Sequence, residues 1–126
     1  MINAEFLSQC SDEQINKGVA WCVVSNANIS MKLTSEKYSF AASFLRSKSN
    51  KTLINYKLYC TSPNDIMPIA FANEVFVIPC LDGGYMASDG VYDTEIEHII
   101  GECNWATNAN PLRAICEVYI LMSVNK

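Results

Sequence analysis

One stretch near the end of the sequence decides the fold: Asn110-Pro-Leu-Arg-Ala-Ile-Cys-Glu-Val-Tyr-Ile-Leu-Met-Ser-Val124. Asn110 can cap a helix, and Pro111 suits the first helical position, where its missing N–H costs nothing. One helical face then carries the apolar residues Leu112, Ile115, Cys116, Tyr119 and Met122. Much of the remaining circumference is also apolar, with Ala114, Val118, Ile120 and Leu121. A helix of this kind lies at the centre of a domain or is covered by a partner chain.

An earlier helix is predicted over residues 12–23. Ser11 and Gln14 have the spacing of a capping box, in which each side chain bonds the backbone of the other residue. Apolar residues at positions 15, 19, 22 and 23 follow at helical spacing. Gly18 is the weak point of this helix because glycine loses the most backbone entropy on folding.

A third helix is predicted from Ser62-Pro63 to about Phe71 or Asn73, by the same combination of cap and proline. Pro68 should kink this helix or loosen its first turns, because proline cannot donate to the preceding turn. Strand patterns are predicted at 29–33, 38–45, 53–59, 75–78 and 85–87, with a hairpin loop at 46–51 and turns at 82–84 and 88–90. Residues 94–100 are ambiguous and favour a strand slightly. The whole pattern predicts a single α+β domain over residues 1–126, a compact layered sandwich with about three helices on a mainly antiparallel sheet.

The charge excludes one large class of function. The 126 residues carry 9 Lys and Arg against 13 Asp and Glu, a net charge of −4. Binding of long nucleic acids depends on many basic side chains, so no such partner is expected. The longest apolar segment, residues 115–124, contains Glu117 and is too short to cross a bilayer. The first residues lack a basic region followed by an apolar one, so we expect a cytoplasmic protein without a membrane partner.

The cysteines and the histidine do not form a recognisable reaction centre. The six cysteines contain no C-x-x-C pair, and their spacings match no zinc module. Several have apolar neighbours, and free cysteine packs like a small hydrophobic residue. The single histidine, His98, follows Glu95 and Glu97 and precedes Ile99. This sequence does not have the spacing of a known metal motif. We therefore expect no metal, no cofactor and no enzymatic activity.

Arg113 is the most informative single residue. With Asn110 as cap, it occupies the third helical position, where the helix dipole disfavours a cation by about 0.3–1 kcal/mol. Two explanations stay open. Arg113 either forms a salt bridge with Glu117 or Glu102, or it joins the N–H groups of the helix start in a site for phosphate or carboxylate.

Five further residues complete the candidate ligand site. Trp105 could stack on a nucleobase, and the amides of Asn108 and Asn110 could bind its edge. Tyr85 and Tyr92, beside the glycine-containing turns, could form a second aromatic wall. The predicted ligand is a small anion of the nucleotide class.

Several segments resemble the phage NinX-type family of unknown function. They are residues 11–17 (Ser-Asp-Glu-Gln-Ile-Asn-Lys), residues 59–69 (Tyr-Cys-Thr-Ser-Pro-Asn-Asp-Ile-Met-Pro-Ile) with the strand after them, Asp82-Gly83, and residues 110–114 (Asn-Pro-Leu-Arg-Ala). More distantly, the Ser-Pro-x-Asp helix and the Leu-Arg-Ala-Ile-Cys helix resemble those of phage αβα-sandwich domains. Residues 26–57 have no counterpart. The resemblance implies a bacteriophage accessory protein with a layered fold, and it implies no biochemical activity.

Two classes of function follow as expectations. The first is a homo-oligomeric anti-defence protein that binds and sequesters a nucleotide-type signalling molecule of the infected bacterial host without converting it. The second is an inhibitor that binds a host defence protein, of the anti-CRISPR or anti-restriction type. A net charge of −4 is weak for imitation of DNA, so this class ranks second. A small nucleotide-acting enzyme is a distant third.

Overall fold

The computed structural model describes residues 2–27, 57–96, 98–100 and 103–125. These ranges contain four helices: α1 Ala4–Ser8, α2 Asp12–Ala27, α3 Pro63–Ala72 and α4 Pro111–Val124. They also contain the strands β1 Phe76–Pro79, β2 Tyr85–Ser88, β3 Val91–Asp93, β4 His98–Ile100 and β5 Trp105–Asn108. All pairings are antiparallel, in a three-stranded sheet of order β1-β2-β5 and a separate β3-β4 pair. The predicted α+β class is confirmed, with one helix more than expected in these ranges.

Helix α4 is the centre of the core. It contacts α1, α2 and α3 as well as all three strands of the larger sheet. Eleven of its residues are buried, including Ala114, Cys116, Val118 and Ile120. The apolar circumference of α4 is therefore covered by its own chain, as expected for a helix at the centre of a domain.

The larger sheet presents small side chains to α4. Ala87 of β2 and Ala106 of β5 lie directly opposite each other and are fully buried. Side chains alternate between the two faces of a strand, so Trp105 and Met86 lie on the face away from α4. Alanine at the helix-facing positions lets α4 approach the sheet closely.

The predicted caps of α2 and α4 form as expected. The Ser11 N–H donates to Gln14 Oε1 at 2.8 Å, and the Gln14 N–H donates to Ser11 Oγ at 3.2 Å. Asn110 Oδ1 accepts from the Leu112 N–H at 3.0 Å. Helix α2 continues four residues past the predicted end, to Ala27, where its last turn lies against α4. There Asn26 Nδ2 donates to the Tyr119 hydroxyl at 3.0 Å.

Helix α3 begins and ends close to the predicted positions, although Ser62 makes no side-chain cap bond. Pro68 lies inside this helix without dividing it. The predicted strand at 75–78 is β1, displaced by one residue.

Five segments differ from the sequence predictions. Helix α1 and the strands β3 and β5 are missing from the predictions, because α1 has only five residues, β3 only three, and the polar residues in β5 weaken its strand pattern. Residues 57–59 were assigned to a strand but are loop and turn, where the Leu58 carbonyl accepts from the N–H groups of Thr61 and Ser62. Residues 94–96 form a turn, and the favoured strand is confined to β4. The other predictions for residues 28–56 lie outside the described residues. Among the helices described, none is long and apolar enough to span a membrane.

Candidate functional site

An open cavity of about 370 Å³ lies where the β1–β2 turn meets the end of β5. Its volume is within the range of small-molecule sites in proteins. Its lining residues are Cys80, Asp82, Gly83, Gly84, Tyr85, Thr107, Asn108 and Ala109. We call this cavity the sheet-end pocket.

The wall formed by the β1–β2 turn is held by a short hydrogen-bond network. The Cys80 N–H donates to the Gly84 carbonyl at 2.8 Å, and the Gly83 N–H donates to the Cys80 carbonyl at 3.1 Å. Gly83 has a φ of +92°, a conformation that favours glycine. Asp82 Oδ1 accepts from the Gly84 N–H at 3.0 Å, which orients the carboxylate. The predicted turn at 82–84 is thus confirmed.

Tyr85 and Asn108 meet in this pocket, as two of the six residues predicted for the ligand site. They are direct partners across β2 and β5. Asn108 Oδ1 accepts from the Asn110 N–H at 2.9 Å, so the side-chain oxygen is used and its orientation is fixed. The Asn108 Nδ2 donors and the Tyr85 hydroxyl make no hydrogen bond within the described residues.

Asp82 lies close to this pair. A Cβ atom at Gly84 would be 3.4 Å from both Asp82 Oδ1 and the Asn108 carbonyl oxygen. Because Gly84 has no side chain, the turn can lie close to β5 without filling the space between them. Residues that carry a carboxylate, a carboxamide and a phenol ring therefore line one cavity at this end of the sheet.

Asn110 follows the pocket residue Ala109, but both polar atoms of its side chain are already hydrogen-bonded within the chain. Its Oδ1 caps α4, and its Nδ2 donates to the Cys60 carbonyl at 2.7 Å. Cys60 is itself held by α2, because its N–H donates to the buried Asn16 Oδ1 at 2.9 Å. Asn110 thus joins the start of α4 to the segment before α3.

Arg113 points into the protein, with its side chain only 7% exposed. Four of the five guanidinium N–H groups have acceptors within the chain. Nε donates to Glu117 Oε2 at 3.0 Å, and Nη1 donates to Asp12 Oδ1 at 2.6 Å. Nη2 donates to the carbonyls of Leu7 and Cys10 at 2.8 and 2.7 Å. The salt bridge to Glu117 is one of the two arrangements that the sequence left open.

We call Arg113, Glu117 and Asp12 the arginine cluster. Glu117 is 1% exposed, and burial raises its pKa although the charge of Arg113 acts in the opposite direction. Burial alone would lower the pKa of Arg113, but the hydrogen bond to Asp12 and the charge of Glu117 raise it. Burial also raises the pKa of the neighbouring Cys10 thiol. The cluster attaches α1 and the start of α2 to α4 through a buried guanidinium, with Asp12 at the solvent-exposed side.

The other two predicted residues do not join Tyr85 and Asn108. Trp105 lies at the opposite end of β5, across from Ser88, and is 54% exposed. Tyr92 belongs to β3, and its side chain lies outside the described part of the structure.

Six of the eight residues that line the pocket are absent from the predicted set, and two of these six, Asp82 and Thr107, carry oxygen atoms that can accept hydrogen bonds. Asp82 was interpreted as part of a turn, which it is, and Thr107 belongs to the strand that the sequence did not indicate. The Asp-Gly-Gly sequence was the available signal for Asp82, since such a turn lets a ligand approach closely. The cysteines divide into a buried group of Cys22, Cys60 and Cys116 and a less buried group that includes Cys80 in the pocket. In the described ranges, no group of three or more His, Cys, Asp or Glu side chains could hold a metal ion.

The chain has no match among protein-family models, curated proteins or solved structures. The resemblance to the NinX-type family therefore remains a prediction from the motifs alone.

Proposed function

We propose that the protein is a non-enzymatic binding protein that sequesters a small nucleotide-type ligand. In this proposal the base enters the sheet-end pocket and is held by Tyr85, Asn108 and Asp82. The observation that supports it is that one cavity of suitable size is lined by Tyr85, Asn108 and Asp82, residues that carry an aromatic ring, a carboxamide and a carboxylate.

These three groups match the way proteins bind unpaired bases. Such bases stack on aromatic side chains and form hydrogen bonds along their exposed edges. Tyr85 supplies the ring, while Asn108 Nδ2 supplies donors because its Oδ1 is already bonded to Asn110. Asp82 supplies acceptors, because only one hydrogen bond, from Gly84, reaches its carboxylate in the described residues.

Guanine has the best complementarity to this set. Its N1–H and N2–H₂ groups can donate to a carboxylate, while its neighbouring O6 can accept from a carboxamide. Adenine and the pyrimidines do not offer two adjacent donor groups beside such an acceptor. Guanosine is therefore the probe that the pocket should prefer over adenosine and uridine.

The phosphate should contribute little to binding at this pocket. The described basic side chains are Lys17, Lys57 and Arg113, and each pairs with a carboxylate. None of them lines the pocket. We accordingly place the base inside the pocket and the phosphate outside it, and we leave Arg113 out of the binding site.

The biological setting of the proposal rests on the motif resemblance. A phage accessory protein that captures a nucleotide signal would act in the cytoplasm of the infected bacterium and would lower the concentration of the free signal. Chemical conversion is unnecessary for this effect, since sequestration depends only on affinity and on the amount of protein.

Calorimetric titration with guanosine tests the pocket directly. Asn108→Asp keeps the oxygen that accepts from Asn110 but removes the amide donors, so it should abolish most of the binding while the fold is retained. Asn64→Ala, at an exposed position of α3, is the matched control and should bind like the wild type. The proposal is wrong if wild-type protein binds no guanosine at a Kd below about 1 mM, an affinity of about −4 kcal/mol.

A second experiment separates sequestration from the alternatives. Protein is exposed to an infected bacterial lysate, purified and heated, and the released small molecules are identified by mass spectrometry. A chemically intact nucleotide supports sequestration, whereas a converted product would indicate an enzyme. Recovery of one host defence protein without any small molecule would contradict the proposal in favour of the inhibitor class.

A further inference from the structure

The outer edge of β5 has backbone groups that the described chain does not use. The Asp89 N–H donates to the Asn104 carbonyl at 3.3 Å, which sets the alternation of hydrogen bonds along the β2–β5 pair. By this alternation Ala106 bonds to β2, while the N–H and C=O groups of Trp105 and Thr107 point outward. No described residue forms a hydrogen bond with these outward groups, and both side chains are exposed, although α1 contacts β5.

The opposite edge of the sheet is protected in a way that β5 is not. The β1 edge ends in Pro79, which has no N–H to offer to another strand. Strand β5 contains neither proline nor a charged residue, the two common devices that prevent pairing at an edge. Edge pairing is therefore possible at β5 and obstructed at β1.

We propose that two copies of the chain pair antiparallel along β5. A two-fold axis through Ala106 places Trp105 opposite the partner's Thr107, and Thr107 opposite the partner's Trp105. Each of these pairs can exchange two backbone hydrogen bonds, because all four residues present outward groups. The two three-stranded sheets then become one continuous sheet.

A second copy suits this edge because the strand is complementary to itself. A symmetric antiparallel pairing repeats every side chain across the axis, so a charged strand would bring like charges together, which destabilises a sheet. Trp-Ala-Thr-Asn avoids this repulsion completely. On the face away from α4, each indole can cover the threonine side chain of the other copy, which adds the apolar area that a four-residue strand lacks.

This pairing also changes the sheet-end pocket, a consequence that rests on the proposed function. Thr107 lines that pocket, whereas Trp105 of the same chain lies at the far end of β5. In the dimer the partner's Trp105 sits next to Thr107, at the margin of the pocket. The partner's indole would lie on the same sheet face as Thr107, whereas Tyr85 and Asn108 alternate onto the α4 face, so the second copy would add an apolar boundary on the Thr107 side only.

Analytical ultracentrifugation without ligand tests the dimer independently of guanosine binding. Thr107→Pro removes the outward N–H, as Pro79 does on β1, and should weaken dimerisation at least tenfold. Thr107→Val keeps the N–H and the side-chain shape, so it should dimerise like the wild type. Circular dichroism melting establishes that each variant is folded at the temperature of the measurement.

A second variant keeps the test decisive if proline disturbs β5. Trp105→Lys changes an exposed side chain, so the fold should persist while the dimer weakens. Leu81→Lys, at a fully exposed position of the β1–β2 turn, is the control and should leave dimerisation unchanged. The inference is overturned if the wild type is monomeric at all concentrations, or if Trp105→Lys dimerises as tightly as Leu81→Lys.

Discussion

The arginine cluster includes Arg113 of the first turn of α4, the sheet-end pocket is lined by residues just before that helix, and the two regions differ in what completes their hydrogen bonds. In the cluster, Arg113 reaches two carboxylates and two backbone carbonyls of its own chain. In the pocket, Asn108 and Asp82 are each held by one protein hydrogen bond and retain groups for others. Arg113 and Glu117 of the cluster are buried although Asp12 is exposed, whereas the pocket is open to solvent.

The comparison separates residues that hold the fold from residues available to a ligand. A buried polar group must find partners, because an unmade hydrogen bond costs about 1–3 kcal/mol. An exposed group exchanges protein partners for water, so a ligand can replace that water. Completeness of hydrogen bonding, together with burial, is thus a better guide to a binding residue than charge alone.

The largest effect is expected for Arg113→Met. Loss of the guanidinium leaves the buried carboxylate of Glu117 without its cation, and breaking a buried pair in this way costs about 3–5 kcal/mol. Urea denaturation followed by circular dichroism measures the cost. Lys57→Met is the control. The Lys57 side chain is 68% exposed, and its Nζ is as far as 3.9 Å from Asp65 Oδ1, so its loss should change stability by less than about 1 kcal/mol. Equal effects of the two variants would contradict the structural role of the cluster.

A smaller effect, and on binding rather than on stability, is expected for Tyr85→Ala. Loss of a stacking ring costs about 1–3 kcal/mol per base, or about fivefold to 150-fold in the Kd for guanosine. Tyr85→Phe keeps the ring and should retain most of the affinity. Calorimetric titration of both variants distinguishes stacking from hydrogen bonding by the hydroxyl. Similar losses in the two variants would show that the ring itself is not the contact.

The smallest effect is expected for Glu117→Gln, and its sign depends on pH. Since burial raises the folded-state pKa of Glu117, folding favours the protonated acid more than the unfolded chain does. The stability gained from the protonated Glu117 carboxyl is fully present below the unfolded-state pKa of about 4.3. It is lost as the pH rises through the folded-state pKa. Glutamine avoids this loss, so the stability of Glu117→Gln relative to wild type should increase from pH 4 to pH 8. Urea denaturation at several pH values measures this difference, and a decrease would mean that pairing with Arg113 outweighs burial.

The sequence predicts the fold best where local chemistry determines structure. The reciprocal bonds of Ser11 and Gln14, the cap at Asn110 and the turn at Asp82 all depend on residues a few positions apart, and all form as expected. Strand β5 was missed because its pairing with β2 is the main reason that it is extended. Such long-range pairing leaves little trace in a four-residue segment that includes Thr107 and Asn108.

The candidate site could be predicted only in part, for a similar reason. Tyr85 and Asn108 were selected for their chemistry and meet as neighbours across two strands. The position of Arg113 near the helix start suggested an anion, but the sequence could not show that Asp12 and the carbonyls of Leu7 and Cys10 lie within reach. These partners are about one hundred positions away in the chain.

Guanosine titration followed by two-dimensional ¹⁵N NMR tests the central claim most directly, because it observes both polar regions in one experiment. The account predicts that the side-chain NH₂ signals of Asn108 and the backbone signals of Gly83 and Gly84 shift in proportion to binding, while the Arg113 Nε signal does not move. A shift at Arg113 with none at Asn108 would contradict the account and would return the ligand to the start of α4. No shift at either place would remove guanosine as a ligand of the sheet-end pocket.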